Sequence, residues 1–269
     1  MKRSNMVSVV LALLVAGASS ASAQQKSLEE TLDGLLPGMR AEKIPDRRDS
    51  QQQWQKICFE LGAPGNEAAR AEACKLMAGK LGADTADPAR IFLLKQLQFI
   101  GRGECVDAVA ALLDDKDANV RDAARRALAA NAEPAAGAKL IAKLQSTNDA
   151  KFKVGLLNAL GYRAEPAGVP AAVKELDNKD QAVAAAAARA LGKIANADSA
   201  KALAAARNKA KGELRFRICD AWLLCADKLL EEGKTAEAVA IYKELSRPEE
   251  AKNIRLAAQQ GLLNAAGKK

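Results

Sequence analysis

The side chains that most often carry enzyme chemistry are scarce or absent in this sequence. Its 269 residues include no histidine, which excludes Ser-His-Asp and Cys-His catalysis, imidazole ligands to zinc or iron, haem attachment through C-x-x-C-H and a histidine pH switch. The acidic pairs Asp114-Asp115 and Glu231-Glu232 fall in predicted turns, where solvated caps explain them better than general acid–base catalysis. Neither a glycine-rich phosphate loop nor a nucleophile elbow occurs. We therefore expect no catalytic residue, no metal site and no cofactor.

Five cysteines are the remaining reactive side chains. Cys219 and Cys225 lie on one predicted helix, about 9 Å apart at a rise of about 1.5 Å per residue, which is too far for a disulfide. Cys58 and Cys74 lie on facing helices of a predicted hairpin, where a disulfide is possible although simple antiparallel pairing leaves them out of register. The alternative is that all five are buried as small apolar side chains. No C-x-x-C pair supports a redox or zinc site.

A helical repeat organises the middle of the chain. Four aspartates each precede an apolar position and an alanine-rich or leucine-rich helix, at spacings of 30, 32 and 31 residues, as in known helical repeats. We predict that each caps the N-terminus of its helix, and that glycines at the helix ends supply left-handed C-caps. Second helices are predicted at 105–113, 137–144, 169–176 and 199–207. The aspartates are Asp87, Asp117, Asp149 and Asp180, and the glycines are Gly101, Gly161 and Gly192.

The repeat at 117–128 resembles the HEAT-like repeats of the short type found in bacterial bilin lyases. Its first helix follows their pattern Asp-x-x-Val-Arg-x-Ala-Ala-x-x-Ala-Leu through Asp117, Val120 and Arg121, and Val169-Pro170 resembles the start of their second helix. The repeat from Asp180 has Ala184 at the position that matches Arg121. The resemblance covers about 87–212 and implies an all-α fold, a right-handed α-solenoid of about five to six helical hairpins.

The flanks extend this arrangement. Residues 24–50 are predicted as a polar linker with a short helix from the capping box at 27–30, and 51–86 as an N-terminal capping hairpin, with helices at 51–61 and 66–81. Residues 213–269 are predicted as a C-terminal hairpin and a capping helix. This hairpin resembles a tetratricopeptide repeat in part, and a lengthened HEAT unit is the alternative. The residues with tetratricopeptide spacing are Trp222, Ala226, Leu229, Ala238 and Tyr242.

The first 23 residues have the composition of a cleavable signal peptide. Lys2 and Arg3 precede an apolar run at 6–16 and the small-residue sequence 21–23. The apolar run is shorter than the ~20 residues that span a membrane. We predict cleavage after Ala23 and a periplasmic or secreted mature protein without stable membrane insertion. Its formal charge is +6, because the precursor's +8 loses two cations.

One position of the repeat carries a series of cations. Arg121, Lys153, Arg217 and Arg255 each directly follow the first apolar residue of a repeat, and Phe92 and Ala184 interrupt the series. The resemblance places this position on the concave face of the solenoid. The four side chains could bind an acidic segment of a protein partner or a polyanion. Alternatively, each cation pairs with a nearby aspartate at the turn between repeats.

We expect a non-catalytic scaffold or adaptor that binds a protein partner in the bacterial envelope, as a monomer. One alternative is an accessory subunit of an exported enzyme, or a protein that binds an anionic cell-wall polymer through the basic column. A lyase-like enzyme is a weaker alternative. Nucleic acid is not expected, although the isoelectric point is about 9.2, because 41 basic residues are interspersed with 33 acidic ones rather than clustered.

Overall fold

The described part of the chain is helical. The computed structural model describes the backbone of residues 19–267 and the side chains of residues 27–267, and these residues form helices joined by turns, without a strand among them. The chain divides into two compact units, Met1–Glu133 and Pro134–Lys269. The predicted all-α fold built from helical pairs is confirmed. The predicted signal peptide lies mostly outside the described residues, which begin at Ser19.

Six α-helices form the described part of the first unit. The helices predicted at 51–61 and 66–81 are found as α2 and α3, and the first helix of the repeat at Asp87 is α4. Short 3₁₀ turns at Gly103–Cys105 and Leu112–Asp114 flank α5. The six are α1 (Ser19–Met39), α2 (Ile44–Leu61), α3 (Glu67–Gly79), α4 (Asp87–Ile100), α5 (Val106–Ala111) and α6 (Ala118–Ala130).

The first helix is long because its apolar residues recur at helical spacing. Leu28, Leu32, Leu36 and Met39 are all buried, so α1 presents one apolar stripe to α2, α3 and α4. This corrects the prediction that 24–50 is a polar linker with a short helix, since only residues 40–43 of it lie outside helices. Two prolines lie in this stretch: Pro37 is in the last turn of α1, and Pro45 is in the first turn of α2. The first turn of a helix tolerates proline because its backbone N–H has no partner within the helix.

Eight α-helices form the described part of the second unit. Three of them, α8, α10 and α12, pack side by side in that order, and the helices between them connect one to the next. The alanine-rich α10 is the centre of this layer, and most of its residues are buried. The eight are α7 (Pro134–Ser146), α8 (Ala150–Tyr162), α9 (Val169–Glu175), α10 (Gln181–Ile194), α11 (Ala197–Lys209), α12 (Gly212–Glu231), α13 (Thr235–Leu245) and α14 (Lys252–Gly267).

Three of the four predicted aspartate caps are confirmed. The carboxylates of Asp117, Asp149 and Asp180 accept hydrogen bonds from backbone N–H groups in the first turns of α6, α8 and α10. The prediction for Asp87 is wrong, because Asp87 is the first helical residue and its carboxylate pairs with Arg90 instead. A tertiary contact explains this choice: Arg90 is buried and also pairs with Asp115 at 2.5 Å.

The predicted left-handed glycine caps are also wrong. Gly101 has a φ of −67°, and Gly161 and Gly192 lie inside α8 and α10. Ala164 and Ala195 take the left-handed conformation instead, with φ values of 47° and 53°. The two helical glycines have a packing role, because each lies where another helix approaches its backbone.

Candidate partner-binding groove

An open groove in the second unit lies across α8, α10 and α12, and Ala257 of α14 also lines it. Its volume is about 760 Å³, within the usual range of ligand sites. Small and aliphatic side chains, including Ala182, Ala185 and Leu224, form the surface between its charged groups. The groove is therefore wide enough for a segment of polypeptide and apolar enough to gain from covering it.

Two glycines set the spacing of the helices that form this groove. A Cβ atom on Gly161 would lie 3.0 Å from the Cα atom of Ala190 on α10, and one on Gly192 would collide with the backbone carbonyl of Ala221 on α12. Glycine at these two positions therefore lets α8, α10 and α12 approach backbone to backbone. The small residues of α10 act in the same direction, since alanine adds little width between packed helices.

The groove carries charges of both signs. Arg217 pairs with Glu213 at 2.8 Å, one turn away on α12. Asp227 accepts a hydrogen bond from the hydroxyl of Tyr242 at 2.6 Å, and together with burial this bond raises the pKa of Tyr242. Arg189 and Asp220 also line the groove and are exposed; within residues 27–267 neither forms an ion pair. Two cations and three carboxylates thus face the groove, which is therefore not a basic surface.

The four cations predicted to bind a partner have hydrogen-bond partners within the chain. Lys153 pairs with Glu175 at 2.5 Å, and both side chains are mostly buried. Arg217 forms the exposed pair with Glu213 described above. Arg121 lies in the first unit and the other three lie in the second, and only Arg217 lines the groove. A binding role for the four stays a prediction. Ion pairs are found for Lys153 and Arg217, but each is with a glutamate on a helix and not with an aspartate at a turn.

Two of these cations bind the backbone of the turn before their own helix. Nη1 of Arg121 donates to the carbonyl oxygens of Asp115 at 2.9 Å and Lys116 at 3.2 Å, and Nη1 of Arg255 donates to those of Pro248 and Glu250. Arg47, which the sequence analysis did not single out, makes the same contact with Ala41 and Glu42. An arginine in the first turn of a helix thus fixes the preceding turn, which is a structural role.

The cysteines of the structure are free and buried. The disulfide considered between Cys58 and Cys74 is not formed. Sγ of Cys74 instead donates to the carbonyl oxygen of Ile100 at 3.5 Å, while burial raises the pKa of Cys58 to about 12. Within residues 27–267, no group of cysteine and carboxylate side chains has the arrangement of a metal site.

Sequence reasoning missed the most deeply buried charged group of the second unit. Glu250 lies in the turn before α14 and binds Arg207 of α11 and Arg215 of α12. Arg207 also lies 5.7 Å from the ring centroid of Trp222, close enough for a cation–π interaction. This cluster joins α11, α12 and the turn before α14. Sequence spacing gave no signal for it, because its members are far apart in the chain.

The fold and groove describe an all-α helical-repeat protein, and comparison with known families agrees. Residues 137–221 match the HEAT repeat family, a stretch that runs from α7 into α12 and includes most of the groove. The resemblance to HEAT repeats is thus confirmed over this segment, and the chain carries HEAT repeats. No curated protein matches the chain. None of the helices found between residues 19 and 267 is long and apolar enough to span a bilayer.

Several solved structures are similar to this chain. One is a chain of the complex of CpcE and CpcF of phycocyanin lyase from Nostoc sp. PCC7120, with a TM-score of 0.44 and 16% identity, covering 87% of this chain and 94% of that one. Two engineered proteins each have 19% identity. For the first, the TM-score is 0.41, and the match covers 97% of this chain and 78% of the engineered chain. For the second, the TM-score is 0.33, and the match covers 88% of this chain and 96% of the engineered chain.

Proposed function

We propose that this protein is an exported, non-catalytic HEAT-repeat scaffold or adaptor of the bacterial envelope, and that its second unit binds a segment of a partner protein. HEAT repeats are protein-interaction modules, and the family match covers the helices that form most of the groove. The observation that carries the proposal is the groove across α8, α10 and α12, with small apolar side chains between charged groups of both signs.

The charges of the groove favour a protein segment over an anionic polymer. A polyanion would meet three carboxylates, Glu213, Asp220 and Asp227, against two guanidinium groups, one of which is already paired. Like charges brought together at close range repel. A polypeptide can place an acidic side chain beside Arg189 and a basic or polar one beside Asp220. The binding of a cell-wall polymer, the alternative from the sequence, is therefore the less supported of the two.

The buried ionisable groups support a structural rather than a catalytic role. Burial alone would raise the pKa of Glu104, but its hydrogen bond from Arg70 and their charge attraction outweigh burial and lower it. Glu250 behaves in the same way with its own partners. General acids and bases usually have a pKa shifted toward neutrality. These two carboxylates have a pKa shifted away from it, as in ion pairs that hold helices together.

Export rests on the composition of residues 1–23. Processing at the predicted site would give a mature chain that begins at Gln24, inside α1, and keeps the buried leucines of that helix. The test is N-terminal sequencing and intact mass of the protein recovered from the periplasmic and membrane fractions. A protein that retains residues 1–23 and stays with the cytoplasmic fraction would overturn export.

The binding site is tested with paired charge reversals. Mature wild-type protein, residues 24–269, is used to capture partners from an envelope extract, beside Arg189→Glu/Arg217→Glu. Both arginines are exposed, so neither change buries a charge. The matched control is Lys201→Glu/Lys209→Glu, which reverses two exposed cations on α11.

We expect the groove variant to lose about tenfold or more of the captured partner and the control to retain it, with the melting temperature of both near that of wild type. Equal capture by the groove variant would overturn the groove as the site. A different result would favour the polymer instead: wild type and the control variant bind a purified anionic polysaccharide, and the groove variant does not.

A further inference from the structure

A second surface, in the first unit, presents phenylalanine to solvent. Phe59 of α2 is 83% exposed and Phe99 of α4 is 72% exposed. The whole sequence has only five phenylalanines, so two of them lie where burial does not stabilise the described unit. Covering such a side chain removes apolar surface from water, which favours binding. Exposed aromatic side chains placed together are the usual anchors of a binding interface.

The two rings line one cavity. Its volume is about 640 Å³, and its lining also includes Cys58 and Ile100. At its base the end of α2 lies close to α4, because a Cβ atom on Gly62 would lie 3.1 Å from Cγ2 of Ile100. The cavity is thus lined mainly by apolar side chains and is open to solvent. It is large enough for a bulky aliphatic or aromatic side chain of a partner.

A second cleft shares Phe99 in its lining. It lies between α4 and α6, and its lining includes Lys95, Asp122 and Arg126. Arg126 pairs with Asp122, and a second arginine, Arg125, also pairs with Asp122 at 2.6 Å. Lys95 is exposed, and within the described part of the chain it forms no ion pair. The cleft therefore offers one uncompensated cation, one helical turn from the apolar cavity along α4.

The two ends of this surface differ in charge. Glu60 lines the cavity on the α2 side, whereas Lys95 lies on the α4 side beyond Phe99. A bound segment with an acidic residue would be attracted at the Lys95 end and repelled at the Glu60 end. Charge complementarity therefore selects both the composition and the direction of the occupant.

We propose that the Phe59–Phe99 cavity and the adjoining cleft form a second docking site, which binds an amphipathic segment of a partner protein that carries one bulky apolar anchor and an acidic residue one to two helical turns away. The anchor fills the cavity between the two rings, and the carboxylate pairs with Lys95. This site lies within the first unit and depends on no residue of the groove in the second unit. Its failure and that of the proposed function are therefore separate results.

The experiment identifies the ligand from random sequence. A displayed library of random 16-residue peptides is panned on the mature protein, with Phe59→Ala/Phe99→Ala as the counter-target. Both side chains are mostly exposed, so this variant should keep the fold, and its melting temperature checks this. Tyr162→Ala is the matched control, because Tyr162 is an aromatic residue 70% exposed in the second unit. Enriched peptides are synthesised, and their binding is measured by fluorescence anisotropy.

We expect the enriched peptides to share a bulky apolar residue and an acidic residue three to eight positions away. The Phe59→Ala/Phe99→Ala variant should bind these peptides at least about tenfold more weakly than wild type. The Tyr162→Ala variant should bind them with the affinity of wild type. Lys95→Glu should weaken the binding of the acidic peptides several-fold. It should strengthen the binding of peptides in which lysine replaces the acidic residue. The proposal would be overturned if no peptide were enriched, or if the peptides bound the Phe59→Ala/Phe99→Ala variant as tightly as wild type. It would also be overturned if sedimentation showed a dimer of the wild-type protein that only this variant disrupts, because a second copy of the chain would then occupy the site.

Discussion

Nε of Arg207 donates a hydrogen bond to Oε1 of Glu250 at 2.8 Å, although 43 positions separate the two residues in the sequence. The side chains are 7% and 3% exposed. The other oxygen of the same carboxylate accepts from Sγ of Cys219 at 3.3 Å. One buried carboxylate therefore joins α11, α12 and the turn that leads into α14.

Replacing Glu250 with glutamine should destabilise the second unit. The change leaves Arg207 buried without its counter-charge, and we expect the free energy of unfolding at neutral pH to fall by about 3 kcal/mol. The measurement is urea denaturation followed by circular dichroism. Glu249→Gln is the matched control. Glu249 is the exposed neighbour of Glu250, so this change should alter the free energy of unfolding little.

The contribution of Glu250 should also depend on pH. Burial alone would raise its pKa, but hydrogen bonds from Cys219, Arg207 and Arg215 together hold it below the ordinary 4.5. Since the folded pKa is the lower one, the stabilisation is complete above the unfolded pKa and is lost as the pH falls through the folded pKa. Wild type and Glu250→Gln should therefore converge in stability below pH 4.5. A difference that stays constant in acid would contradict this account.

A methyl group at Gly192 should force two helices apart. Gly192→Ala places a Cβ atom against the carbonyl of Ala221, and we expect a loss of about 1–3 kcal/mol in unfolding free energy. Gly79→Ala is the opposite case, because no atom lies within 4 Å of the added Cβ and alanine favours the helix by about 0.5–1 kcal/mol. The two changes should shift the melting temperature in opposite directions. A rise in melting temperature for both would mean that helix propensity, and not packing, decides both.

The cap at Asp117 should be replaceable by another capping residue. Its carboxylate accepts hydrogen bonds from the backbone N–H groups of Asn119 and Val120 at 2.8 and 3.0 Å. Asp117→Ala should cost about 1 kcal/mol of unfolding free energy, and Asp117→Ser should recover most of it. Thermal or urea denaturation of the three proteins measures both effects. Equal stability of the alanine and serine variants would show that the hydrogen bonds of the cap contribute little.

The five buried thiols should be unreactive until the protein unfolds. Burial raises the pKa of Cys105 to about 11 and that of Cys225 to about 12, and only the thiolate reacts readily. We expect almost no reaction with Ellman's reagent in the native protein. In guanidinium without reductant all five cysteines should react. A count of three would indicate a disulfide.

The sequence predicted the features that depend on neighbouring residues. Asp117 and Asp180 are recognisable caps because the N–H groups they bind lie two and three positions further on. The turn at 232–234 is predictable for the same reason, since glycine and charged residues there separate two apolar patterns, found as α12 and α13.

Features that depend on distant contacts were missed or assigned wrongly. Aspartate is favoured at helix N-caps, and Asp87 lies at the start of a helix. Its carboxylate instead pairs with a buried arginine, Arg90, which also pairs with Asp115. Arg189 is one exposed arginine among many in the sequence, and only the packing of α8, α10 and α12 shows that it faces a groove. The series of four cations was visible from spacing, yet spacing could not show that Lys153 meets Glu175.

Gly161 and Gly192 do not line the groove, yet they fix the distances between the three helices whose side chains do. The width of the groove is therefore encoded at positions outside its lining. A selection for variants with altered partner preference should recover substitutions at these two glycines as well as at the groove surface. Such variants would change specificity while every contacting side chain stayed the same, so a comparison of groove residues alone between related proteins would not explain which partner each one binds.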